Sequence, residues 1–166
     1  LAGSPEASLE GEIIRLWAEL RTRDPDLPPA PPLLLSRLDA PTSGLVPAAF
    51  GLEAARVFRR LEASDAVHKH YLALVDGHIE APLRLTRRLH TANRKKTRVL
   101  PEDTPDPTRH TLVEPLRTLD LPSGPATLAR ATIQRGVRHQ MRAHLGAAGH
   151  PLVGDALYGG PGLPPG

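Results

Sequence analysis

Apolar residues recur at Leu9, Ile13, Leu16, Trp17 and Leu20, a helical spacing with Ser8 as candidate cap and Gly11 close behind. Asp24 to Pro32 is a proline-rich connector that cannot be helical. Leu33 to Leu35 reads as a short buried strand, and Leu45 to Phe50 as another that Pro47 pushes toward an edge or a bulge. Ala54, Val57, Phe58 and Leu61 mark an amphipathic helix running to about Glu62. The clearest strand is Lys69 to Val75, ended by Asp76-Gly77, and Ile79 to Leu85 is a second extended piece. His110 to Leu119 and Ala126 to Ile133 are strands around a Leu121 to Pro125 turn, while the 84–98 stretch and Pro101 to Pro107 read as loop. Arg138 to Ala148 is a helix with Met141, Leu145 and Ala148 on one face, stopped by Gly149 and His150-Pro151.

Strands outnumber helices, and the βαβ alternation of a doubly wound fold is absent. The expectation is an α+β fold, a mostly antiparallel mixed sheet with flanking helices. Residues 1–32 form a helix and connector belonging to the same domain as 33–159, and 160–166 a flexible tail.

Composition changes this picture at a few points. A chain of 166 residues suits one domain. With no cysteine, disulfides and cysteine-ligated zinc are excluded, and a reducing cytoplasm is compatible. No apolar run approaches the roughly 20 residues of a membrane helix. No signal peptide is visible, and a start at Leu1 suggests a trimmed chain. Aromatic residues make up only 3% of the chain, too few for a binder that stacks single-stranded bases. The net charge is +3, yet Arg84, Arg87, Arg88, Arg94, Lys95, Lys96 and Arg98 fall in one acid-free stretch. Such a run is either a solvated loop or a contact for a polyanion, phosphate backbone rather than stacked bases.

Three places carry candidate chemistry. Asp39 stands between an apolar run and a Pro-Thr-Ser-Gly turn, with Arg37 two residues before it. It either starts a turn or is a carboxylate fixed for chemistry. Tyr71 lies mid-strand, as a core tyrosine or a site residue. Arg138 and Arg142 are four apart on one predicted helix face, either solvated or suited to hold a carboxylate or phosphate. His68, His70, His139 and His144 lack a carboxylate at matching spacing, so no metal site is expected. Neither a GxGxxG nor a Walker pattern occurs, and Ser43 lacks the elbow of a serine hydrolase.

Taken in order, these segments resemble the RluA-type pseudouridine synthases. The family's H-R-L-D-x-x-T-S-G motif is matched by Ser36-Arg37-Leu38-Asp39-Ala40-Pro41-Thr42-Ser43-Gly44. Its K-x-Y-x-A-x-V-x-G motif is matched by Lys69-His70-Tyr71-Leu72-Ala73-Leu74-Val75-Asp76-Gly77. Its third block, G-R-T-H-Q-I-R-x-H-L and then G-H-P-I-x-G-D-x-x-Y-G, is matched from Gly136 to Leu145 and from Gly149 to Gly159. The likeness runs from about Ser36 to Gly159.

The resemblance implies isomerisation of a uridine in ribosomal or transfer RNA to pseudouridine, with no cofactor and no metal. It makes Asp39 the essential carboxylate, Arg142 the cation that keeps it ionised, and Tyr71 the residue that packs on the flipped base and handles a proton at C5. Arg37, Thr42, Arg94, Lys95, Lys96, Arg138, His139 and Gln140 are the implied RNA contacts. The partner is RNA, with no membrane, and a monomer is the expected state. The chain departs from the pattern at Ala40-Pro41, where a charged pair is common, at Val137, where an arginine is usual, and at Pro47. The family's opening strand has no counterpart before Leu1. A degenerate member that binds RNA without catalysis is the alternative.

Overall fold

The computed structural model describes residues 8–93 and 95–162. Arg94 and part of the expected tail, 163–166, lie outside the described residues. Contacts divide the chain into two compact units, with the boundary between Ala63 and Ser64. No helix among the described residues is long and apolar enough to cross a membrane.

In the first unit, helix α1 spans Leu9–Arg23. The Ser8 hydroxyl caps it by accepting from the Gly11 N–H at 3.1 Å. Glu10 and Glu12 at its start and Arg21 and Arg23 at its end complement the helix dipole. Strands β1 (Leu33–Leu34) and β2 (Ala48–Ala49) pair antiparallel, Leu33 opposite Ala49. Both are shorter than the hydrophobic runs suggest. Pro47 has no N–H to extend the ladder; its carbonyl accepts from the Leu35 N–H at 2.9 Å, and Leu35 is buried. Helix α2 follows over Gly51–Ala63.

The second unit holds a four-stranded antiparallel sheet in the order β3-β8-β7-β4, formed by Lys69–Asp76, Gly124–Ile133, Thr111–Leu121 and Leu83–Leu85. The β7–β8 strands run closer to their turn than expected. Leu121 pairs with Gly124, so only Pro122 and Ser123 are left between the strands. A core of Ala73, Val75, Ile79, Val113, Ala129, Ala131 and Leu145 gathers the sheet and helix α3 (Gln140–Ala147). The segment after α3 returns to β3: Val75 bridges Leu152, and the Val153 N–H donates to the Leu74 carbonyl at 2.9 Å. Part of the expected tail is anchored, since the Gly160 N–H donates to the Asp155 carbonyl at 2.8 Å.

Two expectations are corrected. Parts of the basic stretch and of its acidic neighbour are strand rather than loop: β5 (Arg87–His90) and β6 (Arg98–Asp103) form an antiparallel hairpin. It lacks the apolar alternation that marks a strand in sequence. Cross-strand polar pairs hold it instead, with Thr86 Oγ1 donating to Asp103 at 2.8 Å and Arg87 and Arg88 lying 3.7 and 3.8 Å from Asp103 and Glu102. Helix α3 starts two residues late, because His139 adopts left-handed backbone (φ 55°). Arg138 is therefore outside the helix and shares no face with Arg142.

His144 braces α3 against two strands. Its Nδ1 lies 2.9 Å from the Thr111 hydroxyl and its Nε2 2.8 Å from the Arg87 carbonyl, which fits a neutral ring donating from Nε2. Burial pushes its pKa below the ordinary value near 6.5. The unfolded chain then takes up the proton more readily than the folded one. The stability His144 contributes is complete above pH 6.5 and is lost as pH falls below that value. Urea titrations at pH 7.5 and 5.5 should show this loss in the wild type, and His144→Gln should flatten it.

Candidate functional site

The Asp39 loop joins β1 to β2 in the first unit. The Thr42 N–H donates to the Asp39 carbonyl at 2.8 Å, closing a turn with Ala40 and Pro41 at its centre. Gly44 follows at φ +141°, a conformation that disfavours side chains, and Leu45 beyond it is almost fully exposed. Asp39 and Thr42 are half-buried and Arg37 is exposed. The structure brings these three together in one loop.

The other candidates lie in the second unit. Tyr71 shares a face of β3 with the buried Ala73 and Val75 and pairs across to Ala131, which places it at the end of the core. Arg142 projects from α3 into a two-pronged ion pair. Its Nε and Nη2 donate to the two oxygens of Asp155 at 2.7 and 2.8 Å, with the side chains only 15% and 7% exposed. The hydrogen bonds from Arg142 hold the Asp155 carboxyl below its usual range, helped by the backbone N–H groups of Leu157 and Tyr158.

Asp155 opens a 3-10 turn, Ala156–Tyr158, and Tyr158 gathers much of what remains. Its ring lies 5.2 Å from the Arg142 guanidinium and 5.0 Å from the Lys96 ammonium, and stands edge-on to His139. Its hydroxyl accepts from the Thr97 N–H at 2.8 Å and lies 3.0 Å from His139 Nδ1. Thr97 is buried and donates from Oγ1 to the Arg138 carbonyl at 2.7 Å. Lys96, His139 and Arg142 thus converge on one aromatic ring. Lys95 is nearby in sequence, with its N–H accepted by Asn93 Oδ1 at 2.8 Å.

Two predicted RNA contacts are occupied by the chain itself. Gln140 is 2% exposed. Its amide donates to the Arg109 carbonyl at 2.9 Å and accepts from the Val137 N–H at 3.1 Å, so it is an internal strut. The Arg138 guanidinium donates to the carbonyls of Thr91 (2.8 Å) and Asn93, tying down the loop after β5.

Sequence reasoning gave no role to Asp155 or Tyr158; the signal was present, since both belong to the Gly149 to Gly159 block. A cavity of about 370 Å³ is lined by Arg87, Arg88, Arg109 and Val137 among others. Position 137 lacks an arginine, and the guanidinium groups around this cavity come from β5 and from Arg109. His68 and His70 stack at 6.4 Å, and no group of three or more metal-ligating side chains occurs among the described residues.

The RNA pseudouridylate synthase family matches residues 19–147, and the chain belongs to that family. This bears out the RluA-type resemblance. The chain is 33% identical over 132 residues to the Ribosomal large subunit pseudouridine synthase D of Nitrosomonas europaea, which covers 76% of this chain and 35% of that protein. To the protein of the same name from Yersinia pestis it is 30% identical over 167 residues, 99% of this chain and 47% of the relative. Among solved structures, Human RNA Pseudouridylate Synthase Domain Containing 1 superposes with a TM-score of 0.65 at 27% identity, over 87% of this chain and 60% of that one. The chain spans less than half the length of these two bacterial relatives.

Gln140→Leu should destabilise the protein by about 1–3 kcal/mol in urea unfolding, because the Val137 N–H and the Arg109 carbonyl lose their partner. Its affinity for RNA, measured well below its melting temperature, should match the wild type.

Proposed function

We propose that this chain isomerises uridine to pseudouridine in large-subunit ribosomal RNA. The observation that carries the proposal is the family match, whose span from 19 to 147 includes Asp39, Tyr71 and Arg142. The relatives' printed names supply the choice of RNA. Transfer RNA is the second substrate to test.

The reaction balances within the nucleotide. The N1–C1′ bond breaks, the uracil turns, a C5–C1′ bond forms, and the proton lost from C5 is matched by one gained at N1. In this reading Asp39 is the carboxylate that acts on the nucleotide, Arg142 the cation working with it, and Tyr71 the residue that takes up the C5 proton. The target base leaves its stack to reach them. Arg37, Thr42, Arg94, Lys95, Lys96 and His139 are the proposed RNA contacts. The half-buried turn at Asp39 supports the assignment, because it holds a carboxylate in place without sealing it from a substrate. Gln140, a buried strut between Val137 and Arg109, is left out of these contacts.

Tritium placed at C5 of the RNA uridines is released to water on each turnover. The wild type should release it from large-subunit ribosomal RNA. Asp39→Ala should reduce release at least ~10³-fold while retaining RNA in a filter-binding assay. Tyr71→Phe should slow it by about 10²–10⁴-fold if the hydroxyl transfers a proton. Salt-sensitive RNA retention with no tritium released by the wild type from either RNA selects the non-catalytic reading.

A further inference from the structure

Asp155 and Tyr158 lie outside the family-matched span, yet they hold three of the residues assigned above. The turn that carries them is fixed from several sides. The Asp76 N–H donates to the Pro151 carbonyl at 2.8 Å, and the Gly154 N–H to the Pro161 carbonyl at 2.7 Å. A Cβ on Gly146 of α3 would come within 2.8 Å of the Tyr158 carbonyl, so the helix backbone presses on the turn with no room for a side chain. Asp155 and Tyr158 are thus set against α3 before any ligand arrives.

We propose that Asp155 and Tyr158 are positioning residues, with Asp155 setting the plane of Arg142 and Tyr158 seating Lys96 as a ready phosphate contact. This rests on the functional reading above. A guanidinium gripped through Nε and Nη2 has its plane and rotation fixed, which a single hydrogen bond would not achieve. Lys96 is exposed, and its ammonium is held over the Tyr158 ring rather than by a carboxylate. Its donors therefore face solvent while its position is constrained. Thr97, next in the chain, is locked to the Tyr158 hydroxyl through its backbone N–H, which prevents the lysine from swinging away. One ring seats the lysine and flanks the arginine, so RNA binding and turnover share a single support.

The test measures kcat and KM by tritium release from large-subunit ribosomal RNA, the salt dependence of RNA binding, and melting temperature by circular dichroism. Asp155→Asn should lower kcat by ~10–100-fold with KM nearly unchanged. Arg142→Lys should do the same, and the double variant should be no worse than either alone, because Asp155 acts through Arg142. Asp155→Glu should recover part of the rate. It also replaces Asp155→Asn in the cycle if that variant does not fold. Tyr158→Leu should reduce the slope of log affinity against log salt by about one, as should Lys96→Ala, with no further loss when combined. Tyr158→Phe should keep that slope. Additive losses in the double variant, or a slope untouched by Tyr158→Leu, would overturn the proposal even if melting temperatures fall. Tritium release by the wild type that Asp155→Asn matches overturns the proposal alone. No release from the wild type overturns the functional reading and the proposal with it.

Discussion

The second unit is organised around the Arg142–Asp155 ion pair. Two nearly buried, opposite charges joined by parallel hydrogen bonds leave little freedom of orientation. Removing either partner would strand a charge with little water to solvate it, which is far costlier than losing an exposed pair. The pair links α3 to the turn after it, and that turn is in turn stitched to β3. The rotation of α3 about its own axis, the edge of the sheet and the direction of the arginine are therefore mutually dependent.

Tyr158 extends that dependence to the β5–β6 hairpin. Its hydroxyl meets Thr97, just before β6, and its ring meets Lys96. Arg138 donates to the carbonyls of Thr91 and Asn93, just after β5. Beyond its own backbone ladder and the Thr86–Asp103 hydrogen bond, the described cross-strand contacts within the hairpin are exposed ion pairs, each worth at most about 1 kcal/mol. Its ties to α3 and to Tyr158 matter more to its placement than its own cross-strand charges do.

Much of this was legible in the residues. Lys69 to Val75 and the strands around Pro122-Ser123 were visible because buried faces impose a hydrophobic pattern. The Asp39 turn was visible because its Pro, Thr, Ser and Gly have local conformational meanings. The β5–β6 hairpin escaped because its pairing is polar and cross-strand, and no periodicity records that. The start of α3 was misplaced by two residues, since nothing local announces a left-handed histidine. Asp155 was legible as part of a motif but not as the partner of Arg142. Their link is a matter of how a turn packs on a helix, and spacing along the chain does not encode it. Gln140 is a similar case: its place in the motif is legible in sequence, and its burial as a strut between Val137 and Arg109 is not.

Three of the seven residues in the buried core that α3 joins are alanines, Ala73, Ala129 and Ala131, beside Val75, Ile79, Val113 and Leu145. Protein interiors are close-packed, so the methyl groups of these alanines act as spacers that set how closely α3 can approach the sheet. A larger residue at Ala129 or Ala131 would have to be accommodated by movement of the elements packed in that core, Leu145 of α3 among them. The volume of three methyl groups is thus a hidden coordinate of where α3 sits. Sequence drift there would change the seating of the helix before it cost the fold.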